Sequence, residues 1–256
     1  MVMNKDFASD VLVVGAGPVG LTLAMDLARS GVRVTVVEVR RFGEPPNVKC
    51  NHVSARSMEQ FRRLGVSSAL RQAGLPEDFP NDVVFRTRMT GEELTRIPIP
   101  CRRDRYTELE GPDTGWPTPE PPHRINQLYL EPLLLAHAVK QEGLSLLSRT
   151  RVVDFEQDDD GVLVSLENLD TQEFRQLRVR YLVGCDGGSS ACAKKWGLNC
   201  KARTSSSVCS PPISGPPSWP PCSRASWLGV ITRSTPIGAV RFLPLMGKRP
   251  GWFTTI

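Results

Sequence analysis

Between Asp10 and Glu38 the chain reads as strand, glycine turn, helix and second strand, and no other stretch constrains the fold as much. Asp10-Val-Leu-Val-Val14 is an apolar run of strand length, and Gly15-Ala-Gly-Pro-Val-Gly20 follows at once. Leu21, Ala24 and Ala28 then share one helical face with Leu27 beside them, and Arg33-Val-Thr-Val-Val37 ends in the carboxylate of Glu38. Each position has a physical reason. Gly15 permits the tight turn, Gly17 lets a backbone approach a pyrophosphate without a Cβ in the way, and Gly20 lets the helix pack closely on the sheet. Pro18 suits a first helical turn, where its missing N–H removes a donor that had no partner. The helix start presents unpaired amides and a positive dipole end to an anion. Glu38, about 20 residues past the glycines, is placed to accept hydrogen bonds from a ribose diol. The pattern is a mould for the ADP half of a dinucleotide. Arg40 and Arg41 could instead greet a 2′-phosphate, but Glu38 would repel it, so they are expected to form a solvated loop.

The 256 residues suffice for one large domain, or one domain and part of another. The longest apolar stretch, Val11 to Met25, contains three glycines and a proline and falls short of a membrane span, so no membrane partner is expected. The start Met-Val-Met-Asn-Lys-Asp-Phe lacks the apolar core of a signal peptide, which makes a cytoplasmic location the expectation. Seven cysteines, without a C-x-x-C pair, argue against a disulfide framework. His52, His123 and His137 lack metal-ligand spacing, and no metal site is expected.

The formal net charge of +5 is unevenly spread. Asp186 is the last acidic residue, and positions 187–256 hold nine Lys or Arg with no Asp or Glu. The same segment carries nine prolines and four of the five tryptophans. Two explanations compete: a natural basic arm that binds an acidic partner or nucleic acid, and a segment after Trp196 displaced from its proper reading frame. The run Ser205-Ser-Ser-Val-Cys-Ser-Pro-Pro212 has neither helical nor strand periodicity, nor the clustered cations of a nucleic-acid arm. The second explanation is therefore preferred, and no nucleic-acid partner is expected.

Further along, Ser54 to Leu64 has a helical pattern ended by Gly65, and Val83 to Met89 with Glu93 to Ile99 forms a hairpin turning at Thr90-Gly91. Arg103 to His123 is a proline-rich polar loop, and Asn126 to Gln141 returns to helix with Gly143 as its stop. Strands are expected at Arg151 to Glu156, Val162 to Asn168, Phe174 to Val179 and Tyr181 to Cys185. Asp158-Asp-Asp-Gly161 reads as a turn rather than a metal loop. The last strand runs into Asp186-Gly187-Gly188, which can place Asp186 at the strand edge that carries the first glycine loop. Asp186 is then either a carboxylate near the dinucleotide or a cap for the following short helix.

Four segments together resemble the FAD-dependent aromatic hydroxylases of the p-hydroxybenzoate hydroxylase type, nearest the phenol and chlorophenol hydroxylase branch. Gly15 to Gly20 with Glu38 resembles their FAD fingerprint, and Ser54-Ala-Arg-Ser-Met-Glu59 with Arg62-Arg-Leu-Gly65 resembles their next helix. Arg124-Ile-Asn-Gln-Leu-Tyr-Leu-Glu131 resembles their R-x-x-Q-x-x-L-E helix start, and Tyr181-Leu-Val-Gly-Cys-Asp-Gly-Gly188 their Asp-Gly motif. The resemblance spans about residues 8 to 197.

It implies an α/β fold: a Rossmann-like FAD-binding domain over residues 1–197, with a parallel sheet, an antiparallel β-meander and a hairpin excursion near 80–105. Residues 198–256 would be an incomplete or aberrant part of a β-rich substrate domain. The resemblance further implies that Gly15, Gly17, Pro18 and Gly20 cradle FAD, that Glu38 holds the adenosine ribose, and that Arg56 and Gln127 contact the pyrophosphate and ribityl region. Asp186 and Gly187 would also serve the FAD. The implied reaction is hydroxylation of a small phenolic or other aromatic substrate with NAD(P)H and O₂, the flavin carrying the difficult chemistry. A homodimer is compatible with this reading. The sequence departs from the family at its end: the expected Gly-Asp-Ala-x-His motif is not found, and nothing from Lys201 onward resembles the family. Weak or no FAD binding and little or no hydroxylase activity are the corresponding expectations. The alternatives are a non-catalytic nucleotide-binding remnant and an NAD(P)-dependent dehydrogenase.

Overall fold

The computed structural model describes residues 7–46, 51–88 and 90–197. These form two compact units, one of residues 7–74 with 122–197 and one of residues 75–121. In the larger unit a six-stranded sheet is built from β1 (Ser9–Val14), β2 (Val34–Val37), β5 (Leu144–Leu147), β6 (Thr150–Asp158), β7 (Gly161–Asn168) and β8 (Phe174–Gly184), in the order β5-β2-β1-β8-β7-β6. The pairs β1/β2, β2/β5 and β1/β8 are parallel, whereas β6, β7 and β8 form an antiparallel meander. The architecture is the expected Rossmann-like sheet with a meander.

The period-2 alternation of side chains sorts the apolar residues onto two faces. Val11 and Val13 of β1 and Val34 and Val36 of β2 join one core, and Leu12, Val14 and Val37 join the other. Against the first face lie α1 (Pro18–Arg29), α2 (Ala55–Arg63) and α4 (Gln127–Ala138), which contribute Leu21, Ala24 and Met25, Met58 and Phe61, and Leu130 and Leu134. Ser54 caps α2 by accepting from the Ser57 amide at 3.3 Å, and Gly65, at φ +79°, ends it as read. Leu134 is fully buried at the centre of this layer. Leu134→Ala is expected to cost about 2–5 kcal/mol, read as a lower urea midpoint at unchanged slope.

Three features differ from the sequence reading. Phe174 to Gly184 is one continuous strand rather than two, because no turn residue interrupts it. Its first part pairs antiparallel with β7 and its last part parallel with β1. The strand thereby ties the meander to the parallel sheet and delivers Cys185 to the end of β1, where its amide donates to the Val14 carbonyl at 2.8 Å. Beyond Gly143, which is also at positive φ, Leu144–Leu147 adds an unexpected strand on β2. A short helix, α3 (Ser67–Gln72), follows Gly65 and buries Leu70.

The smaller unit holds the expected hairpin, β3 (Val83–Arg86) and β4 (Glu93–Ile97), with a register shift at Phe85/Arg86. Arg96 braces it by pairing with Glu93 at 2.9 Å and Asp82 at 2.8 Å. In the polar loop that follows, the buried Arg105 binds Asp113 at 2.6 Å and lies 5.3 Å over the Trp116 ring. Residues 198–256, on which the expectation of an aberrant or basic segment falls, lie outside the described residues.

Candidate functional site

At the C-terminal edges of β1, β2 and β8 the larger unit gathers most of the residues singled out above. Gly15 turns at φ +103°, and its amide donates to the Val37 carbonyl at 2.7 Å. A Cβ there would stand 2.6 Å from the Cys185 carbonyl oxygen. A Cβ on Gly20 would overlap the Gly15 carbonyl oxygen. Both glycines are therefore demanded by the protein's own backbone. Gly17 is different, because a Cβ there would meet nothing within 4 Å. It is the N-cap of α1 and lacks a side-chain capping bond, with Pro18 in the first turn. The first intrahelical bond from this end runs from the Leu21 amide to the Gly17 carbonyl at 2.9 Å. The amides of Val19 and Gly20 precede that bond, at the positive end of the helix.

Glu38 stands beside this turn. Its Oε2 accepts from the Ala16 amide at 2.7 Å, and its Oε1 from the Arg40 amide at 3.0 Å. Arg40 also lays Nε on Oε1 at 3.1 Å and Nη2 on Oε2 at 3.2 Å. Its remaining terminal nitrogen, Nη1, reaches Glu131 at 2.6 Å, and Glu131 accepts from Gln127 Nε2 at 2.9 Å. Burial pushes the Glu38 carboxyl up, but the Arg40 side chain and amide and the Ala16 amide outweigh it and hold it below the usual carboxylate range. Burial likewise opposes the charge of Arg40, and the two carboxylates more than restore it.

Arg40 thus corrects the reading of a solvated loop, since its guanidinium is held between two carboxylates. Arg41 alone fits that reading, being largely exposed with a long contact to Asp170. Glu131 is the second residue that sequence reasoning left without a role. A charge between Leu130 and Leu134 on the buried face of α4, four residues after Gln127, was the available signal.

Asp186 follows β8 and leads into a 3-10 turn (Gly187–Ser189) and α5 (Ala191–Lys195). One oxygen, Oδ2, accepts from the Ala191 amide at 2.7 Å, so Asp186 does cap that helix region. The other, Oδ1, is buried without a hydrogen-bond partner. Gly187, at φ +80°, and Gly188 leave open space where side chains would stand. Burial and the neighbouring Asp186 charge raise the Cys185 thiol and push the Cys192 thiol up to about 11. Arg56, 77% exposed on α2, pairs with Glu59 at 3.0 Å.

The arrangement fits a dinucleotide. An uncapped helix start can take phosphate, Glu38 can take a ribose by exchanging an Arg40 bond for a hydroxyl, and Asp186 stands at the adjacent strand edge. Residues 8–249 match the family described as FAD binding domain, a match that continues past Lys201. The chain belongs to that family. Among curated proteins it is 31% identical over 187 residues to a phenol 2-monooxygenase of Pseudomonas sp. (strain EST1001), covering 72% of this chain and 30% of that protein. To the aklavinone 12-hydroxylase DnrF of Streptomyces peucetius subsp. caesius it is 37% identical over 193 residues, covering 74% and 37%. Among solved structures, native and K252c-bound RebC-10x aligns at 39% identity and a TM-score of 0.65, covering 74% of this chain and 34% of that one. The flavin-dependent monooxygenase PieE, in complex with FAD and substrate, aligns at 27% identity and a TM-score of 0.64, covering 74% and 32%. The chain spans about a third of the length of these relatives. Among the described residues, no helix is long and apolar enough to cross a membrane.

Proposed function

We propose that this chain holds FAD at the edge of β1, β2 and β8 for the hydroxylation of a phenolic or related aromatic substrate with NAD(P)H and O₂. The observation that carries the reading is Gly17: among the described residues no atom stands within 4 Å of where its Cβ would be, at a helix start without a side-chain capping bond. In this reading the amides at the start of α1 take the diphosphate and Glu38 takes the adenosine ribose. Asp186 and Gly187, at the neighbouring strand edge, also serve the FAD. Bound FAD supplies the redox chemistry, and the protein supplies orientation and electrostatics. Gln127 contributes by fixing Glu131, while Arg56 would have to exchange Glu59 for a phosphate to join in. No protein nucleophile is needed for such a reaction.

The relatives support the substrate class, since phenol and aklavinone hydroxylases stand among them. Titrating the purified chain with FAD tests the reading directly. Bound flavin gives a shifted and structured visible band with quenched fluorescence, and subsequent NADPH under air reports turnover. A protein that leaves the flavin spectrum unchanged while binding NAD would overturn the reading in favour of a dehydrogenase.

A further inference from the structure

We propose that Lys195 and Trp196, at the far end of α5, are positioning residues for the flavin half of the site: they clamp that helix to β6 and so fix the turn at Asp186 and Gly187 without touching the cofactor. The inference rests on the FAD reading above. The clamp begins with an irregularity in β6. Val152 faces Leu166 of β7 and Asp154 faces Ser165, so Val153 is an extra residue, a β-bulge. The bulge changes the parity of the strand. Val152 and Phe155 join the same apolar core as Cys192 of α5, although an unbroken alternation would send residues three apart to opposite faces. The two residues after the bulge then meet the end of α5 in order. Asp154 Oδ1 pairs with Lys195 Nζ at 2.6 Å, and the Phe155 ring stands edge-on to Trp196, with centroids 5.5 Å apart and an interplanar angle of 63°. The Asp154 carboxylate also accepts from the Phe155 amide at 2.9 Å, which ties the two contacts together.

The near end of α5 is tied to the Asp186 turn. Asp186 Oδ2 accepts from the Ala191 amide at 2.7 Å, and Cys192 lies so close to the end of β8 that a Cβ on Gly184 would stand 2.8 Å from its Cβ. A helix of five residues, Ala191–Lys195, has little cohesion of its own, so its place is set by what holds its two ends. Of the outer contacts the ring pair carries more, because Lys195 and Asp154 are each 49% exposed and so open an ion pair contributes little. Releasing the outer end lets the Asp186 turn sample positions that miss the cofactor, and the apparent affinity falls with the docked fraction. The adenosine half has its own braces. The Gly15 amide is held by the Val37 carbonyl and the Ala16 amide by Glu38, on β1, α1 and β2. ADP, which reaches only that half, therefore serves as the internal control.

Titration of the full 256-residue chain with FAD by flavin fluorescence, and with ADP by calorimetry, tests the inference. Wild type should bind FAD more tightly than ADP. Trp196→Ala should weaken FAD about tenfold, the worth of one aromatic pair and the apolar area beneath it, and leave ADP within about twofold. Trp196→Phe, which keeps a ring against Phe155, should restore FAD binding to near the wild-type value. Lys195→Met should weaken FAD only about twofold. A merely structural role would lower both ligands together, in step with the urea midpoint. An unchanged ratio of FAD to ADP affinity in Trp196→Ala, or a wild type that binds FAD no better than ADP, overturns the inference and leaves a nucleotide site at the glycine turn in place. A wild type that binds neither ligand overturns the nucleotide reading, and the inference with it. Should Trp196→Ala not fold, Trp196→Leu, which keeps apolar bulk but loses the ring edge, decides the question by the same ratio.

Discussion

Gly17→Ala is expected to give a stably folded protein that holds FAD about a hundredfold more weakly, whereas Gly20→Ala is expected to lose about 3 kcal/mol or more of stability. The two positions lie three residues apart in one glycine motif, yet they answer to different neighbours. A methyl group at Gly20 collides with the Gly15 carbonyl oxygen, a backbone atom that is itself pinned by the turn out of β1. Overpacking against flexible side chains costs about 1–3 kcal/mol, and backbone has less room to yield, so a loss of about 3 kcal/mol or more is the expectation. That is a large part of the margin of an ordinary domain. At Gly17 the backbone is extended, φ −74° and ψ 179°, which alanine adopts without strain, and its methyl meets no atom of the described residues within 4 Å. The urea midpoint should therefore move little. The methyl would instead occupy the approach to the α1 amides. Losing charge-assisted bonds to a phosphate, each worth about 1.5–3 kcal/mol, predicts FAD affinity lower by about a hundredfold. Flavin fluorescence titration beside urea denaturation separates the two outcomes. Equal destabilisation by both substitutions would mean that Gly17 serves the fold, and the proposed phosphate site would lose its support.

What could be read along the sequence was what is local in the sequence. The β1–α1–β2 unit declares itself in 29 consecutive residues, from Asp10 to Glu38, because the strand period, the glycine turn and the helix period occur in register. The α4 start was likewise legible from Asn126, which caps the helix by accepting from the Leu128 amide at 2.9 Å. Pairings across long sequence separations were not. Arg40 and Glu131 are 91 positions apart, and nothing near Arg40 says that a buried carboxylate waits on another helix. The edge strand β5 is only Leu144–Leu147, too short for alternation to show and hidden behind a glycine read as the stop of a helix. The unbroken β8 was missed for a related reason. The antiparallel stretch before Val179 and the parallel stretch after it have different patterns of exposure, so one strand looked like two. Local chemistry therefore located the strand edge that carries the glycine turn, while the Glu38–Arg40–Glu131 cluster came from topology.

Glu38→Gln is expected to lower FAD affinity by about ten- to a hundredfold and to make the remaining stability less sensitive to acid. An amide can still accept from the Ala16 amide through its carbonyl, but its NH₂ would then face the Arg40 guanidinium, donor against donor. Arg40 would be drawn wholly to Glu131, and the ribose would lose its anionic acceptor, a bond class worth about 1.5–3 kcal/mol. The pH dependence has a definite sign. The Glu38 carboxyl lies below its ordinary value of 4.5 in the folded chain. Such a group contributes its stability above the unfolded value and loses it as the pH falls through the folded one. Wild type and Glu38→Gln should therefore differ in melting temperature by a constant amount at neutral pH, and the gap should close only below about pH 4.5. Thermal melts of both proteins between pH 3 and pH 7, with FAD titrations in the upper half of that range, check both arms. A gap that widens on acidification would mean that Glu38 is held protonated, and a protonated Glu38 could not be the anion that receives the ribose.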